Sequence, residues 1–187
     1  MNELIIGILW VLYYAIHSAM ASKRFKLYLR LTLPILYPYY RSVYSFFATV
    51  NLLLLFWLHL LIPSNQIFEP EVLKFVGYAF FVFSAVIFVF AGKSYGAAFL
   101  FREVKSKKLN TTGVNAYVRH PLYFGILLFL VGVVLVAPSS KNMVVGCVSA
   151  LYLIIGTKLE EQKLIEEFGQ EYVDYQIHVK MLIPWVF

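Results

Sequence analysis

The chain has 187 residues, of which 61% are hydrophobic and only 14% charged, and its formal net charge is +6. A typical soluble domain is about half apolar and a quarter charged, so this composition excludes an ordinary soluble protein and predicts an integral membrane protein. A single cysteine excludes an internal disulfide and a cysteine-based metal site. The four histidines lack metal-ligand spacing, so no metal is expected. Membrane proteins concentrate lysine and arginine in their cytoplasmic loops, and this explains the positive charge better than a nucleic-acid partner does.

Five apolar stretches predict membrane-spanning helices, since a helix needs about 20 residues to cross the hydrocarbon core. In chain order they are 3–21, 44–62, 72–91, 122–137 and 142–157. The first is not preceded by positive charge and contains Glu3, which favours a retained helix over a cleaved signal peptide. No linker divides the chain, so one membrane domain over residues 1–187 is expected.

The last two stretches are short and are separated by a proline-containing turn at 137–141. We therefore predict a tight helical hairpin whose second helix runs on to about residue 168. The predicted fold class is all-α integral membrane, with five transmembrane helices, a C-terminal helical hairpin and a cytoplasmic amphipathic tail.

The lysines and arginines divide unevenly between the predicted loops. Loops 22–43 and 92–120 and the tail after residue 157 carry 14 of the 16, whereas Lys74 and Lys141 lie on the other side. Positively charged loops remain in the cytoplasm. The N-terminus is therefore predicted outside and the C-terminus inside.

An Arg119-His120-Pro121 motif lies at the predicted cytoplasmic start of the fourth span, with aromatic residues on both sides. Proline fits the first turn of a helix, and the free N–H groups there favour an anion. The alternative is that Arg119 only marks the membrane boundary, with its charge reaching the aqueous interface. The compact motif favours a binding site at the start of this helix.

Two adjacent carboxylates, Glu160 and Glu161, lie at the exit of the fifth span. Charges at a membrane boundary cost free energy unless they are solvated or paired. Successive helical residues point about 100° apart, so only one of the two faces a given pocket. The alternative is a solvated helix face, but the hairpin brings this end back towards Arg119 and His120.

Phe168-Gly169 predicts a helix end with glycine in the left-handed conformation. Tyr172 and Tyr175 follow, three residues apart and thus on one face of a short helix. Their alternative role is packing at the membrane surface.

Together these motifs resemble the isoprenylcysteine carboxyl methyltransferase and phospholipid methyltransferase superfamily of integral membrane enzymes. The resemblance covers about residues 92–184. Its elements are Gly113 and Tyr117, then Arg119-His120-Pro121-Leu122-Tyr123-Phe124-Gly125, Glu160-Glu161-Gln162-Lys163-Leu164, Phe168-Gly169-Gln170-Glu171-Tyr172-Val173-Asp174-Tyr175, and Ile183-Pro184. The chain departs from the family in having Gln176 where an arginine usually follows Tyr175.

The first half resembles bacterial thiol methyltransferases of the methanethiol type. This resemblance rests on His17-Ser18-Ala19-Met20-Ala21, the basic segment after it, and Tyr40-Arg41-Ser42-Val43-Tyr44. It implies a small thiol as acceptor, with a prenylcysteine carboxylate and a phospholipid amine left open. Membrane lipids are the expected surroundings, and the sequence leaves the oligomeric state open.

The family resemblance implies S-adenosylmethionine as cofactor, bound by the 92–187 half, with 1–91 on the substrate side. We expect Arg119 or His120 to hold the cofactor carboxylate and Glu160 or Glu161 to accept hydrogen bonds from its ribose or amine. The remaining cofactor-binding candidates are Tyr117, Tyr123, Gly125, Tyr172 and Tyr175. The glycine-rich motif of soluble nucleotide-binding domains is missing from the sequence.

A thiol acceptor must first become a thiolate, and burial opposes this. His17 and Arg41 lie near the cytoplasmic ends of the first two spans and are the candidate catalytic residues. The alternatives are a structural buried histidine and a simple topology marker. His17-Ser18 also resembles nitrite-reduction-associated membrane proteins, so a haem-binding redox or isomerase protein with His17 as axial ligand remains open, as does a non-catalytic scaffold.

Overall fold

A computed structural model describes residues 2–68, 71–95 and 108–187, and the regular secondary structure within these ranges is helical apart from two isolated β-bridges. In chain order the helices are α1 (Asn2–Ala21), α2 (Lys23–Thr32), α3 (Tyr40–Leu61), α4 (Glu71–Tyr95), α5 (Pro121–Val136), α6 (Ser140–Phe168) and α7 (Gln170–His178). Short 3-10 turns, Tyr37–Tyr39 and Gly113–Ala116, precede α3 and α5. Arg102, Lys105 and Lys107, part of the predicted cytoplasmic charge, lie outside the described residues.

Four of the described helices are long and apolar enough to cross a membrane: α1, α3 with the turn before it, α4 and α6. Between 11% and 28% of the residues in their apolar windows are buried, so lipid must cover most of this surface. The chain is therefore an all-helical integral membrane protein. The fourth predicted span, 122–137, corresponds to α5, an apolar helix of 16 residues. At 1.5 Å per residue it is about 24 Å long, slightly less than a hydrocarbon core.

The turn between α5 and α6 closes the predicted hairpin. Pro121 occupies the first turn of α5, and this helix ends at Val136. The side chain of Ser139 caps the start of α6 by accepting a hydrogen bond from the backbone N–H of Asn142. The Asn142 amide in turn donates to the carbonyl of Ala137 at 2.6 Å. These contacts satisfy backbone groups at both helix ends and hold α5 and α6 antiparallel.

Glycines let α4 and α5 pack closely. A Cβ atom built on Gly77 would lie 2.7 Å from Val136 Cγ2 and 3.0 Å from the carbonyl oxygen of Gly132. A Cβ on Gly132 would lie 2.6 Å from the ring of Phe81. Real side chains do not approach so closely, so these glycines set the distance between the two helices.

We expect Gly77→Ala to lower the free energy of unfolding by about 1–3 kcal/mol, because overpacking forces the two backbones apart. Gly92→Ala is the matched control, since Gly92 lies on the same helix and has nothing within 4 Å of its Cβ position. Unfolding in SDS, monitored by circular dichroism, measures the free energy of unfolding of both variants. Equal stability of the two variants would contradict the close contact.

α1 packs against α3 and α6, with Ile6, Trp10, Leu55 and Val145 forming a buried cluster. The N-terminal end of α1, the C-terminal end of α3 and the start of α6 meet at one end of the bundle. There Lys141 Nζ donates to the carbonyls of His59 and Ile62, at 2.7 Å each. The opposite end gathers the end of α1, the start of α5, the end of α6 and α7, and it carries the candidate site.

Candidate functional site

A buried ion pair joins the region before α5 to the end of α6. Arg119 Nε donates to Glu161 Oε1 at 2.6 Å, and the two side chains are only 9% and 11% exposed. Arg119 Nη1 also donates to the backbone carbonyls of Gln176 and Val179. The hairpin thus brings the Arg-His-Pro motif and the paired carboxylates into contact, as the sequence predicts, and ties the end of α7 to them.

Glu161 accepts hydrogen bonds from several further side chains. Tyr172 Oη donates to Oε1 at 3.3 Å, and Nε2 of the buried His120 lies 3.3 Å from the same oxygen. Gln176 Nε2 donates to Oε2 at 3.0 Å. The residue that departs from the family pattern therefore belongs to this network. Through these hydrogen bonds Glu161 and Arg119 connect the start of α5, the end of α6 and α7.

Tyr172 lies in α7, outside the spans, and is almost completely buried. Burial raises the pKa of its phenol well above the ordinary value, and the neighbouring Glu161 carboxylate raises it further. The hydroxyl is consequently a neutral hydrogen-bond donor at physiological pH.

A raised folded-state pKa means that the unfolded chain loses the Tyr172 proton first. This stabilising contribution is complete below the unfolded value of 10.0 and is lost as pH rises above it. We expect the free energy of unfolding to fall more steeply above pH 10 in the wild type than in Tyr172→Phe. Unfolding measured at a series of pH values checks this, and identical slopes would contradict the burial of a neutral phenol.

Glu160 faces a different environment from its neighbour. It lines a polar cavity of about 690 Å³ between the end of α1, the start of α2, α5 and α6. Tyr123 Oη donates to Glu160 Oε2 at 2.7 Å, and the ring of Tyr123 stacks on His120 with centroids 5.7 Å apart. The other polar residues lining the cavity are His17, Ser18, Ser22, Lys23, Arg24, Tyr152, Gln162, Lys163 and Glu166. This volume is typical of a site for a small molecule or cofactor.

His17, predicted as a catalytic residue, borders this cavity from α1. The hydroxyl of Tyr44 lies 2.8 Å from its Nε2. Arg41 lies on α3 one turn before Tyr44 and is absent from the cavity lining, as far as the described residues define it.

Three other predicted cofactor residues lie away from the cavity. Tyr117 is 62% exposed, and its ring makes an edge contact with Trp185. Tyr175 is buried and donates to the backbone carbonyl of Asn115. The Gly125 carbonyl accepts a hydrogen bond from Ser84 at 2.8 Å, where α4 approaches α5.

Tyr152, Ser18 and Lys163 also line the cavity, although no motif in the sequence identifies them as site residues. Tyr152 stacks on Tyr14 with centroids 4.0 Å apart and lies 3.0 Å from the Ser18 hydroxyl, so it joins α1 to α6 beside the cavity. Lys163 could have been identified from its spacing, because a residue three positions after Glu160 lies on the same face of a helix.

The phospholipid methyltransferase family matches residues 72–171 of the chain. Methanethiol S-methyltransferase 1 of Bradyrhizobium diazoefficiens is 32% identical over 98% of this chain and 68% of its own length. The chain belongs to the phospholipid methyltransferase family. This family member is also similar to the methanethiol S-methyltransferase of Crocosphaera subtropica, with 30% identity over 91% of the chain and 70% of the relative. No solved structure matches.

The matched family region contains the Arg119–Glu161 ion pair and the Glu160–Tyr123 pair of this methyltransferase, whereas Tyr172 and Gln176 lie just after it. A more partial similarity is to protein-S-isoprenylcysteine O-methyltransferase B of Arabidopsis thaliana, 34% identical over 51% of this chain and 49% of its own length. His17 and Tyr44 lie before the family match. They fall within the longer similarity to the methanethiol S-methyltransferases, which extends over nearly the whole chain.

Proposed function

We propose that the chain is an S-adenosylmethionine-dependent methyltransferase that methylates a small thiol. The polar cavity of about 690 Å³, with Glu160 in its wall beside the buried Arg119–Glu161 network, is the observation that carries the proposal. The cavity lies at the end of the bundle where the predicted cytoplasmic cations gather. We propose five spans, with the N-terminus outside and the C-terminus and active site cytoplasmic, so that the water-soluble cofactor enters from the cytosol.

The groups lining the cavity fit this cofactor chemically. The carboxylate of Glu160 is suited to the ribose hydroxyls or the amine, and the cations Arg24 and Lys163 to the carboxylate. The rings of Tyr123 and Tyr152 offer aromatic faces to the adenine and to a cation. When bound, S-adenosylmethionine supplies an electrophilic methyl group on a positively charged sulfur.

The protein contributes the position of the groups around the cofactor. Arg119, His120, Glu161 and Tyr172 lock the start of α5 against α6 and α7, which fixes Tyr123 and Glu160 in the cavity wall. A rigid wall supplies alignment, and alignment accounts for a large part of the catalysis of a displacement reaction.

The choice of a thiol rests on how much of the chain each similarity covers. Proteins named for methanethiol match 90% or more of the chain, including α1 to α3. Proteins named for isoprenylcysteine match about half of it. We therefore propose that α1 to α3 select the acceptor and that the second half supplies most of the cofactor site, with Arg24 of α2 completing it.

Incubating purified protein in lipid nanodiscs with methyl-labelled S-adenosylmethionine tests the proposal. We offer three acceptor classes in parallel: short alkanethiols, a prenylated cysteine and phosphatidylethanolamine. Label is expected in the thioether product alone. Transfer only to the prenylcysteine or the lipid would overturn the thiol assignment. Absence of transfer together with no calorimetric binding of S-adenosylhomocysteine would overturn the methyltransferase site, and a Soret band would support the haem alternative.

A further inference from the structure

We propose that a second, apolar cavity between α1 and α3 binds the thiol, and that His17, which borders both cavities, accepts the thiol proton. The proposal rests on the proposed function and extends it to a location, a size limit and a base.

The second cavity has a volume of about 190 Å³ and is formed by α1 and α3. Its walls are mainly aliphatic and aromatic, with Leu9, Leu12, Ile16, Phe47, Ala48 and Leu55 among them. An apolar cavity of about 150 Å³ holds a molecule of the size of benzene. The space therefore suits a thiol of a few carbon atoms, whereas a prenyl chain is too large to be enclosed.

The mouth of this cavity opens sideways. Leu12, Ile16 and Leu54 line it and are each about half exposed, at 51%, 51% and 50%. These residues belong to helices that span the membrane, so the surface they expose faces lipid. A thiol dissolved in the bilayer can thus reach the cavity without passing through water.

His17 is the residue through which the two cavities meet. It lines the apolar cavity and also the polar cavity that contains Glu160. Tyr44 Oη lies 2.8 Å from its Nε2 and 3.1 Å from its Nδ1, and the described residues give the ring no other hydrogen-bond partner. A single hydroxyl cannot satisfy both ring nitrogens, so one remains for a ligand.

The other polar groups of the apolar cavity are less suited to take a proton. Asn51 donates to the carbonyl of Phe47 at 2.8 Å, and Tyr13 donates to that of Ala48 at 3.3 Å. Neither an amide nor a neutral phenol is a base at neutral pH. His17 is the basic side chain among the described residues that line this cavity.

The reaction balances with these groups. The thiol S–H proton moves to a ring nitrogen of His17, leaving a thiolate and an imidazolium. The thiolate sulfur then forms a bond to the methyl carbon as the methyl–sulfonium bond breaks, and the electron pair stays on the departing thioether. The proton leaves His17 through the polar cavity to the cytosol. Tyr44 is a positioning residue, since it holds the ring at the boundary.

The first test locates the thiol without methyl transfer. A short alkanethiol carrying a diazirine is photolysed with the protein in nanodiscs, and the labelled peptides are identified by mass spectrometry. Labelling is expected on α1 and α3 and should be suppressed by excess ethanethiol. Ala48→Phe, which fills the cavity, should reduce it at least tenfold. Ala85→Phe, at an exposed site on α4, should not. Labelling that Ala48→Phe leaves unchanged overturns the proposed cavity.

The second test asks whether His17 acts as a base. We expect His17→Gln to lower kcat/KM for ethanethiol at least about a hundredfold, in line with loss of a general base. A nitro-substituted aryl thiol, already ionised at the assay pH, should lose less than tenfold. Equal losses for both thiols overturn the role of His17. Calorimetric binding of S-adenosylhomocysteine should be unchanged, and wild-type failure to methylate any thiol would instead refute the proposed function.

Discussion

Replacing Glu161 with glutamine is expected to lower the free energy of unfolding by about 3–5 kcal/mol, because removing one partner of a buried ion pair leaves the other charge uncompensated. Arg119 would keep its 9% side-chain exposure without the carboxylate that now lies 2.6 Å from its Nε. Tyr172 and Gln176 donate to the same carboxylate, so the substitution also removes their charged hydrogen-bond acceptor. Equilibrium unfolding in SDS, with the protein in mixed micelles, measures the difference.

A double-mutant cycle separates the ion pair from the rest of the network. Arg119→Met combined with Glu161→Gln should cost less than the sum of the single changes, since no unpaired charge is left. A stability loss below 1 kcal/mol for Glu161→Gln would contradict the structural role of the pair. Strong loss of cofactor binding without any loss of stability would assign Glu161 to the cofactor directly.

The same substitution one residue earlier should behave in the opposite way. Glu160→Gln is expected to leave the free energy of unfolding within about 0.5 kcal/mol of wild type, because Glu160 lines the polar cavity and the glutamine oxygen can still accept from Tyr123. Hydrogen bonds to a charged group contribute about 1.5–3 kcal/mol. Binding of S-adenosylmethionine should therefore weaken roughly 10- to 150-fold. Isothermal titration calorimetry with cofactor and with S-adenosylhomocysteine measures this.

Tyr123→Phe provides the control for this second prediction. It removes the hydroxyl that donates to Glu160 at 2.7 Å and keeps the ring, so a smaller loss of cofactor affinity is expected. If Glu160→Gln binds cofactor as tightly as wild type, Glu160 is not part of the cofactor site. If it is instead as unstable as Glu161→Gln, the two carboxylates share the structural role.

Hydropathy and charge predict much of this fold because contact with lipid favours apolar residues on every exposed helix face. The three long spans, the hairpin and the continuation of α6 to Phe168 follow from that rule. The helix Lys23–Thr32 was not predicted, because a short basic segment at the membrane surface has the composition of a loop. The extension of α3 back to Tyr40 was also missed, since Arg41 and Ser42 interrupt the apolar run before position 44.

The sequence identifies the residues that matter near the site but not which way each one points. Adjacent glutamates on a helix must face different directions, yet only the packing of α7 shows that Glu161 turns towards Arg119 and Glu160 towards the cavity. Gln176 replaces a family arginine and still contacts Glu161, which no spacing rule predicts. His17 and Tyr44 are 27 positions apart in the sequence and lie on different helices, so their contact depends on tertiary packing.

The sideways opening between α1 and α3 has a kinetic consequence. A site filled from the bilayer responds to the mole fraction of its ligand in lipid, not to its concentration in the buffer. At a fixed total amount of a hydrophobic thiol, adding empty liposomes dilutes it in two dimensions and slows turnover. Lengthening the alkyl chain raises its partition coefficient and offsets this dilution until the chain outgrows the roughly 190 Å³ available.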